Sequence, residues 1–428
     1  MANTYLTRTF GSSPSTSLFT WSAWVKRGKL GTQQTMISGC SSHGANTGQL
    51  IYFTNDDRLA YYAQASGTVK CNLKTNAQFR DTNAWYHIVL KVDSSQSNVA
   101  NRVVFYVNNV ERSYITTVEH TQNWDAYFML TTPTDVGRNG MNTSDYFDGV
   151  MSHMHMTHGY NYTPSTFGSV DATTGEWKIN TSPTVNYNSN GFFILKDENT
   201  GTDHSGNSET FSSGGGTLTK TEDCPSNVFA TMNPLSKGSD ITLTNGNTVV
   251  TNSQTSDQSI VGTIACGNGK YYWEAKCTSN TSNYSNIGIS LSSVYGGNHS
   301  QVDSGRIMWS SNGSLYKEGL GLSTISLGAL GTNDIIGVAL DTENGTLKFY
   351  KGGVLIHTET NNSFLYSNNE YIPASGLRDG GGWNYNFGNG YFGSTQISSA
   401  GTNASGIGIF EYDVPTGYTA LSTKGLNL

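Results

Sequence analysis

Charge is scarce in this chain: of 428 residues only 13% are Asp, Glu, Lys or Arg. The 31 acidic side chains against 24 basic ones leave a formal charge of -7 at pH 7. Gripping a phosphate backbone needs concentrated Lys and Arg, so nucleic acid is not an expected partner. Proline is also rare, at 8 residues, so the many Gly and Ser do not mark a disordered tract. Cys40, Cys71, Cys224, Cys266 and Cys277 are odd in number and scattered, without C-x-x-C spacing. That excludes a zinc framework and reads as reduced thiols. No apolar run approaches the roughly 18 to 20 residues of a membrane helix, so membrane insertion is not expected. Met1-Ala-Asn-Thr-Tyr5 lacks the basic start and apolar core of a signal peptide, so synthesis and folding in a cytoplasm are expected. Amphipathic helices and stalk-forming heptads are missing as well.

What the chain has in quantity is Gly, at 49 residues, together with Asn, Ser, Thr and 11% aromatics, a composition of turns and packed sheets. Asp334–His357 sets the pattern. An apolar run ends at Asp341, Asn344-Gly345 follows, Leu347–Lys351 is a second run, and Gly352-Gly353 precedes Val354–His357. Asn-Gly and Gly-Gly tolerate positive φ, so the stretch predicts a three-stranded antiparallel meander. The unit recurs earlier as Trp85–Asp93, Val103–Asn109 and Val110–Ser113. Two copies imply two β domains.

In chain order, Phe19–Val25, a run ending at Met36-Ile-Ser-Gly39, Gln49–Phe53 and Arg58–Ala63 are short apolar or alternating segments between turn-forming clusters. Period-2 alternation puts Tyr86, Ile88, Leu90 and Val92 on one face of a strand and His87, Val89 and Lys91 on the other, with one face expected as core. Phe19–Arg27, Trp85–Asp93 and Val104–Asn109 together resemble the laminin-G or concanavalin-like jelly roll, which implies a two-sheet fold often used to bind glycans. The resemblance covers about the first 165 residues. Thr163–Gly168, Thr174–Trp177, Asn190–Phe193 and Gly201–Asn207 resemble a connector seen in structural proteins of tailed bacteriophages. Residues 166–225, with Ser212-Ser-Gly-Gly-Gly216 as the most flexible point, are expected to be a linker with some strand content. After it, Phe229–Pro234, Ile241–Gly246, Gly269–Lys276, Ile287–Ser290, the meander and Trp383–Gly388 look like a SPRY domain, which implies another concanavalin-like sandwich and an interaction module. Tyr412–Leu421 also resembles phage proteins of this architecture. The expected fold is all-β: a jelly roll over 1–165, a connector over 166–225 and a SPRY-like sandwich over 226–428.

Chemistry is sparse. Glycosidases on concanavalin-like folds project two carboxylates from one strand as E-x-D-x-x-E. No such run occurs, and Glu411/Asp413 and Asp145/Asp148 are the nearest pairs, read as solvated. Gly388–Gly393 matches G-x-G-x-x-G without the following helix that a dinucleotide site needs, so no cofactor is expected. His153, His155 and His158 have ligand-like spacing for a metal shared around an oligomer axis, but packing is the preferred reading and no metal is expected. Trp309, Tyr316, Trp383, Tyr385 and Phe387 could offer sugar rings aromatic platforms, the last three more readily being core. The loops Tyr295–His299 and Leu377–Gly382 are preferred, and Tyr295, His299, Trp309, Tyr316, Arg378 and Asp379 are the candidate ligand-binding residues. The combined expectation is a non-enzymatic virion protein, a tail fibre, head appendage or capsid decoration, with other virion proteins and host cell-surface glycan as partners. A homo-oligomer, a trimer among the options, is expected. The alternatives are a polysaccharide-cleaving enzyme and a free cell-surface adhesin.

Overall fold

The computed structural model describes residues 3–196, 199–280, 284–298, 305–317, 325–360, 363–366 and 369–427. The chain forms two compact units, 1–220 and 221–428. Both are antiparallel β-sandwiches, as expected, and the one described α-helix is the single turn Ser363–Tyr366.

In the first unit one sheet has eight strands, in the spatial order Tyr114–Val118, Thr68–Gln78, Arg58–Ala65, Gly48–Phe53, Gln34–Cys40, Pro133–Val136, Tyr5–Thr9 and Ser212–Gly215. The other has six: Phe192–Ile194, Gly149–His158, Leu18–Arg27, Trp85–Asp93, Val103–Val107 and Val110–Glu111. Alternating residues of both sheets, among them Trp21, Ile37, Ile51, Tyr61, Ile88, Leu90, Phe105 and Met154, interdigitate as the core. The hairpin after Val107 turns through Asn108 and Asn109 at φ +50° and +66°, a left-handed pair that Asn tolerates and hairpin twist favours.

Residues 166–225 depart from the expected connector. Phe192–Ile194 extends the six-stranded sheet, with Met154 opposite Ile194 and Met156 opposite Phe192. Ser212–Gly215 extends the eight-stranded sheet, with Leu6 opposite Ser213. Phe211 is buried, edge-on to Phe10 and Phe192. The Gly-rich composition that suggests flexibility serves close packing: a Cβ on Gly214 would fall 2.1 Å from the Tyr5 ring. Gly201–Asn207 is likewise a built turn, in which Asp203 accepts from Phe193 N, Ser205 N and Glu209 N.

The rest of that segment explains why both faces of Trp85–Asp93 are buried. Residues 159–190 lie over the outer face of the six-stranded sheet, where Trp24, His87 and His155 sit beneath Phe167, Trp177 and Tyr187. The alternation was read for one core face; the second face has its own cover.

The second unit pairs a seven-stranded sheet (Met232–Lys237, Gln258–Gly262, Tyr371–Leu377, Asn286–Leu291, Arg306–Ser310, Ser314–Lys317, Ile325–Ser326) with an eight-stranded one. The latter runs Ile241–Thr244, Val249–Asn252, Gly382–Asn386, Lys270–Ser279, Ile335–Asp341, Thr346–Lys351 and Val354–Glu359, with Thr419–Ala420 parallel to Lys270–Ser279. The expected meander is Ile335–Asp341, Thr346–Lys351 and Val354–Glu359, paired antiparallel. Trp273, Trp309, Phe349, Trp383, Tyr385 and Phe387 fill the core.

Candidate functional site

Alternation on two strands of the first unit sends residues to opposite sides of the eight-stranded sheet. Ile51, Phe53, Leu59 and Tyr61 enter the core. Tyr52 and Tyr62 therefore face outward, and Tyr62 stands opposite Leu50 across the strand pair. Both rings are half-buried, packed against a small outer cluster of Cys40, Leu50 and Met141. The Tyr62 hydroxyl donates to Gln64 Oε1 at 2.5 Å.

Two carboxylates act electrostatically on the Tyr52 ring. Asp56 accepts from Thr54, from Arg58 Nε at 2.9 Å and from Lys74 Nζ at 3.2 Å, and these bonds, led by Thr54, lower its carboxyl to about 2. Asp145 Oδ2 accepts the amide N–H groups of Gln33 at 3.0 Å, Asn139 at 3.1 Å and Asn142 at 3.0 Å. Burial pushes the Tyr52 hydroxyl up to about 12, with Tyr62, Asp56 and Asp145 adding to it, so both carboxylates act on this ring. Partly exposed aromatic faces near fixed carboxylates and amides can stack on the C–H face of a sugar and accept from its hydroxyls. Tyr52 and Tyr62 were not among the sequence candidates. The signal was present in the parity of Gln49–Phe53 and Arg58–Ala63, which leaves one Tyr of each run on the face away from the core.

The sequence candidates of the second unit separate. Arg378 and Asp379 come together with two loop residues: Arg378 lies 3.9 Å from Asp257 and 3.7 Å from Asp379, with its guanidinium 4.8 Å from the Tyr284 ring centroid. Asp379 takes φ +49° and donates its N–H to Gln254 O. Among the described residues Tyr295 is the most exposed large apolar one, at 73%, on a loop tied down through Gly296 N to Ser236 Oγ and Gly297 N to Ser259 O. Tyr316 is half-buried, accepting from Asn312 at 3.3 Å. His299 lies outside the described residues. Trp309 corrects the expectation: it is fully buried, edge-on to Phe349, with its indole N–H donating to Gly328 O, so it offers no face to a ligand.

The three histidines sit on a bulged strand. The Gly149–His158 strand shifts register against Leu18–Arg27 between Ser152 and His155, and His153 takes φ +47°. A bulge interrupts the period-2 spacing there, yet the His153 and His155 rings both pack on Phe193, at 5.6 and 4.0 Å. Each imidazole then has its own partner: His153 with Ser152 Oγ, His155 with the Tyr187 hydroxyl, His158 with Ser15 O. Among the described residues no group of three His, Cys, Asp or Glu is placed to hold a metal ion.

Residues 2–165 match the family described as the concanavalin A-like lectin/glucanases superfamily, and residues 270–390 match the SPRY domain. The chain carries a concanavalin-like domain and a SPRY domain. The concanavalin-like domain thus holds the tyrosine pair, and the Arg378 cluster belongs to the unit that contains the SPRY match. The human HERC1 SPRY domain is 20% identical over 36% of this chain and 96% of its own, with a TM-score of 0.30. The TRIM65 PSpry domain is 15% identical over 37% of this chain and 88% of its own, at 0.31. No curated protein matches the chain.

Proposed function

We propose that this chain is a non-enzymatic adhesion component of a tailed-bacteriophage particle, as a fibre, head appendage or decoration, and that its concanavalin-like domain holds host cell-surface glycan. The observation that carries the adhesive part is the Tyr52/Tyr62 pair: two partly buried rings on one outer sheet face, with Asp56 and Asp145 acting on Tyr52. A rigid sheet presents these groups already ordered, which lowers the entropy lost on binding. Two domains of binding-type fold in one chain support an adhesive role. The virion assignment rests on the resemblance of the ordered segments Thr163–Gly168, Thr174–Trp177, Asn190–Phe193 and Gly201–Asn207 to phage structural proteins. In this reading the protein is made in the host cytoplasm, joins other virion proteins and acts in many copies, so that weak sites add up.

Cryo-electron microscopy of purified particles tests the virion assignment. Density fitting the two sandwiches on the particle supports it, and particles without such density would remove it. The adhesive part is tested separately by polysaccharide binding of wild type and Tyr52→Ala.

A further inference from the structure

Residues 168–170 and 177–179 pair as a small hairpin over the outer face of the six-stranded sheet of the first unit, with Ser169 opposite Lys178. Its Trp177 packs so closely on Gly168 that a Cβ there would fall 2.6 Å from the indole. The indole N–H donates to His87 Nδ1 at 3.0 Å. His87 itself is fully buried between Trp24, whose ring lies 4.9 Å away at 22°, and Trp177, 5.9 Å away at 24°.

This geometry fixes the tautomer. Because Nδ1 accepts from Trp177, the ring proton is on Nε2, which donates to Ser22 Oγ at 2.9 Å. A second proton has to enter at Nδ1, where it would point at the indole N–H. The hydrogen bond would become a donor–donor clash, inside a layer of aromatic rings.

The geometry points to a hairpin held down by a neutral imidazole: we propose that protonation of His87 releases the Trp177 hairpin, making residues 168–179 an acid-opened flap over the outer face of this sheet.

The groups around His87 do not relieve a positive charge there. His155, two strands away across Leu18–Arg27, is buried with it, and His153 acts on His155 in turn. Lys26 lies on the same face as Trp24, and Tyr106 is on the strand beyond. On the hairpin, Asp171 is taken by Lys178 at 2.7 Å, and Glu176 precedes Trp177. Burial accordingly lowers His87 to about 3. An imidazole released to water titrates near 6.5. The closed flap is therefore fully favoured above about 6.5, and its advantage shrinks as pH falls, up to about tenfold per unit, until about 3.

Hydrogen–deuterium exchange of the full chain at pH 7.5 and 4.5, corrected for intrinsic rates, tests this. Peptides spanning 166–182 should gain exchange at pH 4.5 by tenfold or more while the Lys270–Ser279 strand and the Gln34–Cys40 strand stay protected. His87→Asn keeps an oxygen acceptor near the Nδ1 position and cannot titrate, so its flap should lose the pH response. Trp177→Phe keeps the aromatic cover and removes the donor, so its flap should exchange fast already at pH 7.5. An unchanged wild-type flap at pH 4.5, loss of protection across the whole first unit at once, or a pH response equal to wild type in His87→Asn or Trp177→Phe would overturn the proposal.

Discussion

The backbone N–H of Tyr412 donates to Glu274 Oε1 at 2.9 Å, and its neighbour Glu411 donates to Oε2 at the same distance. A fully buried carboxylate on a central strand thereby anchors the C-terminal segment of the second unit, with Tyr272 and Asn386 as further donors. Phe410 packs edge-on to Tyr272 beside it. Burial outweighs these bonds and raises the carboxyl to about 7 from its ordinary 4.5. The folded state therefore holds a proton that the unfolded state has lost across that window, and this contribution to stability is full below about 4.5 and declines as pH rises to about 7. Glu274→Gln cannot titrate. The melting temperature of wild type minus that of Glu274→Gln, measured in the full chain, should fall between pH 5 and 7.5; a constant difference would refute the assignment. Glu274→Ala leaves buried donors unpaired and should cost at least about 1 to 3 kcal/mol.

Trp309 belongs to the interior of the second unit and not to a ligand surface. Trp309→Ala should lower stability by about 3 to 5 kcal/mol, the range for deleting a buried indole, as read by chemical denaturation. A loss of ligand binding with stability unchanged would restore the platform reading.

The edge strands contributed by 192–194 and 212–215 make the first unit dependent on residues beyond 165. A fragment ending at Lys220 should give a cooperative melt, and one ending at Ser165 should be insoluble or molten, because Phe10 and Met156 lose Phe211 and Phe192. Limited proteolysis of the full chain should cut first at the exposed residues 219–220. Equal melts for the two fragments would put the boundary back near 165.

Gly345 has φ +59°, and Asp341 Oδ1 accepts the N–H groups of Glu343 and Asn344, so the turn is a four-residue loop with its left-handed position at Gly345. Gly345→Val should destabilise the second unit by about 1 kcal/mol or more. Lys351 bridges Asp334 at 2.7 Å near the surface, and Lys351→Ala should change stability by about 1 kcal/mol at most. Denaturant midpoints of the two variants check the order.

Strand positions were legible because alternation and turn residues are local: Trp85–Asp93 is a strand over its whole expected length, and the meander has its two turns where Gly345 and Gly352-Gly353 stand. Trp383, Tyr385 and Phe387 are core, as their shared face implied. What escaped was non-local. Ser212–Gly215 has the composition of a linker, and only its partner Tyr5, two hundred residues away, makes its glycines a packing requirement. The register shift at His153 escaped because a bulge is invisible in periodicity. Tyr52 and Tyr62 were missed because nothing in either run says that two outward rings become neighbours.

The proposed adhesion to glycan through that tyrosine pair can be read on a glycan array probed with monomeric and artificially multimerised protein. Tethering weak sites raises avidity by roughly 10² to 10⁴, so the multimer should bind host cell-surface polysaccharide that the monomer holds poorly, and the Tyr52→Ala multimer should lose the signal. A parallel hydrolysis assay on each bound glycan should release no sugar. Silence of the wild-type multimer across host glycans, or equal binding by Tyr52→Ala, would contradict the account, and sugar release would replace adhesion with catalysis.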